Sequence, residues 1–384
     1  MRACGWWPRG NLGAEPVAYG DTRLDDGMET TIACRRLLVV RNDRLGDFML
    51  AWPALALLRS SLPDTRIAVL VPPYTEPLAR ECPWIDDVVV DPGPNAGAGA
   101  RRTLLAELRR QRFDAMLTLF STARIGWLGL RSGIPLRLAP ATKPAQFLYP
   151  VRVPQRRSRS LKPEYVYNED LARALLGRLG AGAHPVAPPY WPLSPQDKAA
   201  ERSGLARRLR IPPERPWFFV HAGSGGSSNN LSVAQYAQLV HGVHARLTRD
   251  AGNDAPVWVL TAGPGEEPRT RELAAMMLVE GRETAVYASR DGLARFARSL
   301  AAADLFVAGS TGPLHVAGCL DVPTVGFFPS KRSSTALRWR PCNAEGRTLG
   351  LEPPAGASDT EMSRIDPGQA ADRIAEFWRG LPAG

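Results

Sequence analysis

The sequence predicts an α/β protein built from two doubly wound domains. Three observations carry this: short apolar runs alternate with helix-like stretches, a proline-rich segment interrupts the series, and the alternation then restarts. Leu37–Val40 is the first apolar run, followed by the polar turn Arg41–Gly46 and a helix-like pattern over Asp47–Ser60. Ile67–Val71, Val88–Val90 and Ala115–Leu119 repeat the run, with helix-like stretches at Thr75–Glu81 and Thr103–Gln111 between them. Such alternation implies a parallel sheet. After a helical stretch at Tyr165–Leu179, the segment Ala183–Pro195 carries His184-Pro185, Pro188-Pro189, Pro192 and Pro195 and reads as a linker. The second series runs through Trp217–His221, Val257–Thr261, Ala285–Tyr287 and Leu305–Ala308 and ends near Thr324–Phe328. Five segments follow: a disordered extension over 1–35, a first domain over 36–182, a linker over 183–213, a second domain over 214–366, and a helix within 367–384 expected to cross back to the first domain.

At 384 residues the chain is too long for one ordinary core and suits two. A hydrophobic fraction of 44% and a charged fraction of 22% are those of a water-soluble globular protein, and no apolar run is long enough to span a bilayer. Membrane contact is therefore expected to be peripheral. The cysteines are odd in number, scattered and never in a C-x-x-C pair, which indicates neither a disulfide framework nor a zinc site and favours a reducing cytoplasm. Residues 1 to about 30 lack an apolar signal core and any periodicity, and Met28 is a second candidate start. A net charge of +10 attracts anions, whether nucleotide diphosphates, lipid phosphates or nucleic acid. Much of the excess lies at Arg101–Arg112 and Arg152–Arg159, where a solvated basic face and a phosphate-facing surface are equally open readings.

Three loops could carry chemistry. In the first, Arg41-Asn42-Asp43-Arg44-Leu45-Gly46-Asp47, the glycine lets the backbone turn into a helix and sets Asp47 at the rim of the expected cleft. Two roles fit Asp47 equally: a helix N-cap, or a functional carboxylate. The second, His221-Ala222-Gly223-Ser224-Gly225-Gly226-Ser227-Ser228, is a glycine and serine loop that could approach oxyanions through backbone donors, followed by the capping box Ser232-x-x-Gln235. It is neither a Walker A loop nor a nucleophile elbow. In the third, a strand runs through Ser310-Thr311-Gly312 into a helix that begins with Pro313, whose free N–H groups and dipole would favour an anion. An ordinary capped helix is the plainer account, and His315 fits either a buried histidine or one that faces phosphate.

Together, in this order, the three loops resemble glycosyltransferase family 9, the ADP-heptose:lipopolysaccharide heptosyltransferases, from about Arg36 to the C-terminus. Leu38 to Asp47 resembles that family's first strand and R-x-x-x-[IL]-G-D loop, and Trp52-Pro53-Ala54-Leu55 its following helix. Ser310-Thr311-Gly312-Pro313-Leu314-His315 with Ala317 resembles the [DN]-[ST]-G-x-x-H-x-A signature that holds the donor diphosphate. Thr261-Ala262-Gly263-Pro264-Gly265-Glu266 resembles the loop whose acid reaches the nucleotide ribose. The resemblance implies GT-B architecture, two Rossmann-like domains facing across a cleft, with the acceptor on the first domain and the nucleotide sugar on the second. It implies inverting transfer with no metal and no cofactor, the nucleotide sugar being a substrate, and Asp47 as general base. The donor-binding residues implied are Gly223, Ser224, Gly225, Asn229, Gly263, Glu266, Ser310, Thr311, Gly312, Pro313 and His315. Arg41, Arg44, Gly46, Lys331 and Arg332 are candidate contacts to phosphate or acceptor.

Two positions depart from the pattern. Asn229 and Leu231 stand where the family commonly has lysine and tryptophan, and Ser310 stands where it commonly has an acid. Arg44, Lys331 or Arg332 is then expected to supply the missing cation, or turnover to be slow. The leading expectation is transfer of a sugar, foremost heptose from ADP-heptose, to a lipopolysaccharide core or related glycan in the cytoplasm or at the inner face of the inner membrane. A non-catalytic nucleotide-sugar-binding protein and a basic protein that binds nucleic acid are the alternatives.

Overall fold

The computed structural model describes residues 34–142, 144–223, 229–251, 255–278, 283–358 and 361–382. The expected disordered extension and Met28 lie outside the described residues, apart from Cys34 and Arg35. In the first half, β1 (Arg36–Val40) leads into α1 (Leu45–Met49) and α2 (Trp52–Ser61), then β2 (Arg66–Val71), α3 (Glu76–Ala79), β3 (Asp87–Val90) and α4 (Ala98–Gln111). β4 (Ala115–Thr118), α5 (Ala123–Arg131), β5 (Leu136–Pro140), β6 (Val151–Val153) and α6 (Glu164–Arg178) complete it. The second half comprises α7 (Pro195–Leu209), β7 (Trp217–His221), α8 (Val233–Ala251), β8 (Val257–Ala262), α9 (Glu267–Leu278) and β9 (Thr284–Ala288). It continues through α10 (Leu293–Ser299), β10 (Leu305–Gly309), α11 (Gly312–Cys319), β11 (Thr324–Phe327), β12 (Thr348–Leu351) and α12 (Pro367–Gly380).

Each half folds around a parallel sheet of six strands, ordered β3-β2-β1-β4-β5-β6 and β12-β11-β10-β7-β8-β9. The two orders are the same when each half is counted from its own first strand. In both, the order reverses between the first and fourth strands, β1 beside β4 and β7 beside β10. A ligand crevice forms at such a switch point, because the connections leave it toward opposite faces. The loops after β1, β7 and β10 all start there.

Burial follows the two-residue period of the strands. Leu38 and Val40 face a cluster with Leu104 and Leu108 of α4 and Ile125 of α5, whereas Leu37 and Val39 face α2 and α6. The cluster under α2 and α6 runs on into the second half through Trp191, Trp217 and Phe219, so one apolar core joins the two sheets.

The expected helix over Asp47–Ser60 is two helices. Pro53 is the second residue of α2 and has no N–H to give back to the residue 49 carbonyl, so the helix restarts at Trp52. The segment 183–213 is not all linker, since α7 fills 195–209, capped by Ser194 Oγ accepting from Asp197 N at 3.0 Å. Nor does the last helix cross back. α12 lays Ala370, Ala371, Ile374 and Ala375 into the core shared with α8, and Trp378 packs edge-on against Phe218 at 4.7 Å between centroids. The expected capping box is formed, Gln235 N donating to Ser232 Oγ at 3.1 Å and Ser232 N to Gln235 Oε1 at 3.0 Å.

Ile374→Ala, at a side chain 1% exposed, is expected to lower unfolding free energy by about 2–5 kcal/mol in urea titration. A change under about 0.5 kcal/mol would mean that α12 is not part of the second core.

Candidate active site

At the end of β1 the chain carries a buried arginine. Arg41 is 2% exposed, and its guanidinium faces three carboxylates. Nη2 donates to Asp47 Oδ1 at 2.5 Å, Nε lies 2.9 Å from Asp43 Oδ1, and Nη1 donates to Glu164 Oε1 at 3.3 Å. Nη1 also reaches Asn168 Oδ1 at 3.3 Å, and the amide of Asn168 in turn donates to Leu50 O at 2.9 Å. Burial alone would favour the neutral guanidine, but Asp43, Asp47 and Glu164 outweigh it and hold Arg41 above its ordinary pKa. Asp43 is pushed up to about 6, first by burial and then by Asp47, with Arg41 opposing.

Asp47 is the third residue of α1, and Arg44 occupies the N-cap position. Its carboxylate accepts from Arg41. Of the two roles open in the sequence, the structure therefore places this side chain on a cation at the cleft and not at a helix cap.

Glu164, at the first turn of α6, gathers cations from both halves. Besides Arg41 it accepts from Arg157 Nη1 at 2.5 Å and pairs with Arg338, which comes from the loop after β11. Glu164 N donates to Arg338 O at 2.8 Å, and the Arg338 guanidinium lies 4.9 Å over the Tyr167 ring. Burial draws Arg157 down to about 10, against the pull of Glu164 and with repulsion from Arg41 and Arg338. None of Glu164, Asn168 and Arg338 belongs to a local motif. The available signal was a polar pair, Glu164 and Asn168, on the same buried helix stripe as Leu171 and Leu175.

The Asp47 loop touches the third loop directly. A Cβ on Gly46 would lie 2.8 Å from His315 Cδ2, and one on Gly312 would lie 2.8 Å from Leu45 Cδ2, so glycine at both positions permits α1 to sit against α11. Cys319 Sγ at the end of α11 donates to Met49 O at 3.3 Å, fixing the far end of the same contact. His315 is 2% exposed, and burial lowers its pKa to about 4, so the imidazole is neutral. Its Nδ1, like the buried Thr311 Oγ1, has no hydrogen-bond partner among the described residues. Ser310 N is taken by Phe327 O at 3.0 Å. The amides of Gly312 and Leu314, in the first turn of α11, have no acceptor within the helix, and Pro313 has no N–H.

The second-half loops lie beside this turn. Glu266 Oε2 accepts from Gly263 N at 2.8 Å and stands 3.3 Å from His221 Nε2, with the carboxylate where a Cβ of Gly223 would fall. His221 Nδ1 is 3.0 Å from Thr261 Oγ1, and burial lowers its pKa against the pull of Glu266. Ser224 and Gly225 lie outside the described residues. The exposed Asn229 is followed by Asn230, the residue that organises this loop. Asn230 Nδ2 donates to Ala222 O and Gly223 O at 3.0 and 3.1 Å, and its Oδ1 accepts from Tyr236 OH at 2.7 Å. Arg44, Lys331 and Arg332 are exposed, and the Arg332 carbonyl accepts from Ser160 Oγ. Among the described residues no group of three His, Cys, Asp or Glu side chains is placed to hold a metal ion, and no helix is long and apolar enough to cross a membrane.

The model of Glycosyltransferase family 9 (heptosyltransferase) matches residues 101–367. The chain belongs to glycosyltransferase family 9. A Haemophilus influenzae protein described as a glycosyltransferase is 44% identical over 347 residues, covering 90% of this chain and 97% of its own. Lipopolysaccharide heptosyltransferase 2 of Escherichia coli is 24% identical over 302 residues, 76% of this chain and 82% of its own. In structure, the chain is similar to E. coli ADP-heptose LPS heptosyltransferase II (TM-score 0.70, 19% identity, 90% of this chain and 98% of that one). It is also similar to E. coli heptosyltransferase WaaC with ADP (TM-score 0.66, 16% identity, 89% and 99%). The fold of this family 9 enzyme is accordingly GT-B.

In the free protein one aspartate carboxyl is expected to titrate near pH 6 in carboxyl-carbon NMR, and to disappear in Asp43→Asn. The folded chain keeps this proton to a higher pH than the unfolded chain, whose ordinary value is 3.8. The contribution of Asp43 to stability is thus fully present below about pH 4 and lost as pH rises through about 6. Asp43→Asn should flatten that fall. If no aspartate titrates above about pH 5, Asp43 does not sit buried in a crowded charge cluster.

Proposed function

We propose that this glycosyltransferase moves heptose from ADP-heptose to a hydroxyl of a lipopolysaccharide core or related glycan, inverting the anomeric carbon without a metal or cofactor. The single observation that carries the reading is the Asp47 carboxylate, gripped by Arg41 and set one residue from a glycine that touches His315 of α11. Base and anion-binding turn are thereby neighbours. Asp47 takes the proton of the acceptor hydroxyl as its oxygen bonds to the anomeric carbon, and the bond from that carbon to the diphosphate oxygen breaks. The departing negative charge goes to the Gly312 and Leu314 amides and the positive end of the α11 dipole. Neutral His315, with Nδ1 unpartnered, adds a polar contact there without a second cation.

Gly223, Gly263 and Glu266 are assigned to the nucleoside, with Glu266 leaving Gly263 N or His221 to meet the ribose hydroxyls. ADP-heptose as donor is supported by what the structurally similar enzymes are named for. A merely nucleotide-sugar-binding descendant would not need a carboxylate clamped by a buried arginine at the rim. The cytoplasm is the proposed compartment, since nucleotide sugars are made and used there.

Asp47→Asn is expected to lower kcat by about a hundredfold or more while ADP affinity, read by calorimetry, stays within about twofold. Transfer at the native rate would leave Asp47 as no more than a partner of Arg41. Turnover of ADP-heptose is expected to persist in excess EDTA. Its loss, with rescue by Mg²⁺ or Mn²⁺, would contradict the metal-free reading.

A further inference from the structure

The arginine cluster at 101–112 takes no part in the site. It lies on α4, on the face of the first sheet opposite α2 and α6. Leu104 and Leu108 point inward, whereas Arg101, Arg102, Arg109 and Arg110 are exposed, and Arg112 ends the helix in a left-handed turn. From 101 to 112 five arginines face one acid, Glu107, which Arg110 engages at 2.7 Å. Arg102, Arg109, Arg110 and Arg112 border a shallow hollow. Arginines are used here as solvent-facing charge, without a carboxylate for each.

The neighbouring surface is aromatic. α5 buries Ile125, Gly126 and Gly129 and turns Trp127 and Leu130 outward, 50% and 42% exposed. Its C-terminal carbonyl at Arg131 accepts from Arg109 Nε at 2.9 Å, so the α4 and α5 surfaces are continuous. Gly126 packs on Leu148, and the adjoining Phe147 is 76% exposed, the largest exposure of any large apolar side chain among the described residues. Both rings carry a guanidinium: Arg131 lies 5.7 Å from the Trp127 centroid and Arg152 lies 5.6 Å from that of Phe147.

We propose that this α4–α5 face, with the turn at Phe147, docks the enzyme on an anionic phospholipid surface. The pattern is that of an interfacial element: a helix with one apolar and aromatic edge, flanked by arginines and set in a basic surround. Trp127, Leu130 and Phe147 enter the headgroup boundary while Arg131 and Arg152 stay at phosphate depth, and the α4 arginines supply attraction over a wider area. A protein partner would need carboxylates matched to each cation, whereas lipid phosphates meet an unpatterned arginine field without such register. Arg124, at the start of the same helix, binds Asp91 at the end of β3, and Asp91 accepts from Asn42 of the Asp47 loop. The docking face therefore adjoins the cleft mouth, where a lipid-linked acceptor would enter. The binding itself does not depend on the reaction assigned to Asp47.

Co-sedimentation of the full chain with vesicles of phosphatidylcholine alone, or with one third phosphatidylglycerol, tests this without any activity readout. Binding to the anionic vesicles should be at least about tenfold tighter and should weaken at high salt. Trp127→Ser with Phe147→Ser should cost about tenfold, and Arg102→Glu with Arg109→Glu should abolish binding, each with the parent's thermal melt. Arg178→Glu with Arg207→Glu, an equal charge change elsewhere, should retain binding near the parent's. Equal binding to neutral vesicles, parental binding by the face variants, or equal loss in the distant pair would overturn the proposal. Retention on duplex DNA at physiological salt without vesicle binding would overturn it too, reassigning the arginines to nucleic acid.

Discussion

The arrangement of the site depends on one buried cation. Arg41 is placed by the last step of the central strand β1, where its guanidinium is withdrawn from water and would be unstable without acids around it. Asp43, Asp47 and Glu164 supply them. A buried ion pair adds little net stability over apolar packing, but removing one member costs about 3–5 kcal/mol because the other is left uncompensated. The cluster thus contributes position more than stability. It fixes the Asp47 carboxylate in direction, at the end of a strand that cannot shift without disturbing both neighbours, β2 and β4.

The same cluster connects the two halves. Arg338 reaches Glu164 from the second half, Ser160 donates to the Arg332 carbonyl, and Leu45 and Gly46 sit on Gly312 and His315. The distance between the Asp47 loop and the turn at Gly312 is consequently set by packed backbone on both sides, with no long side chain in between. Glycine at 46 and 312 is the condition for that closeness. Gly312→Val would meet Leu45 as well as any phosphate, so this substitution probes packing and anion binding together. Crowding also explains the charge states: burial keeps His315 neutral and lifts Asp43, whereas Arg41 stays charged because its acids outnumber it.

The sequence made the fold legible where periodicity was strong. β1, β2, β4, β7, β8 and β10 are mostly apolar runs bounded by turns, because a central parallel strand is buried on both faces. The edge strands β6 and β12, three and four residues long and partly exposed, carry no such signal. α7 was hidden by the prolines around it, although Pro195 opens that helix. In the site, Asp47, Gly46, Gly312 and His315 were legible because each belongs to a loop at a strand end. Glu164, Asn168, Arg157 and Arg338 were not. Glu164 and Asn168 meet Arg41, and Arg157 and Arg338 meet Glu164, only through tertiary packing, across more than a hundred positions for the two contacts to Arg41. The part of Asn230 was not legible, because loop patterns give no side-chain direction; the structure puts Asn230 under the loop carbonyls and leaves Asn229 exposed.

Arg41→Lys shows whether Arg41 acts by holding Asp47. Lysine keeps the charge but lacks the planar fork that reaches Asp43, Asp47 and Glu164 at once. Single-turnover transfer from ADP-heptose should slow by about tenfold or more, with ADP affinity within about twofold of the parent and the fold retained by circular dichroism. Transfer at the parental rate by a folded Arg41→Lys enzyme would mean that the carboxylate needs no clamp to do its work.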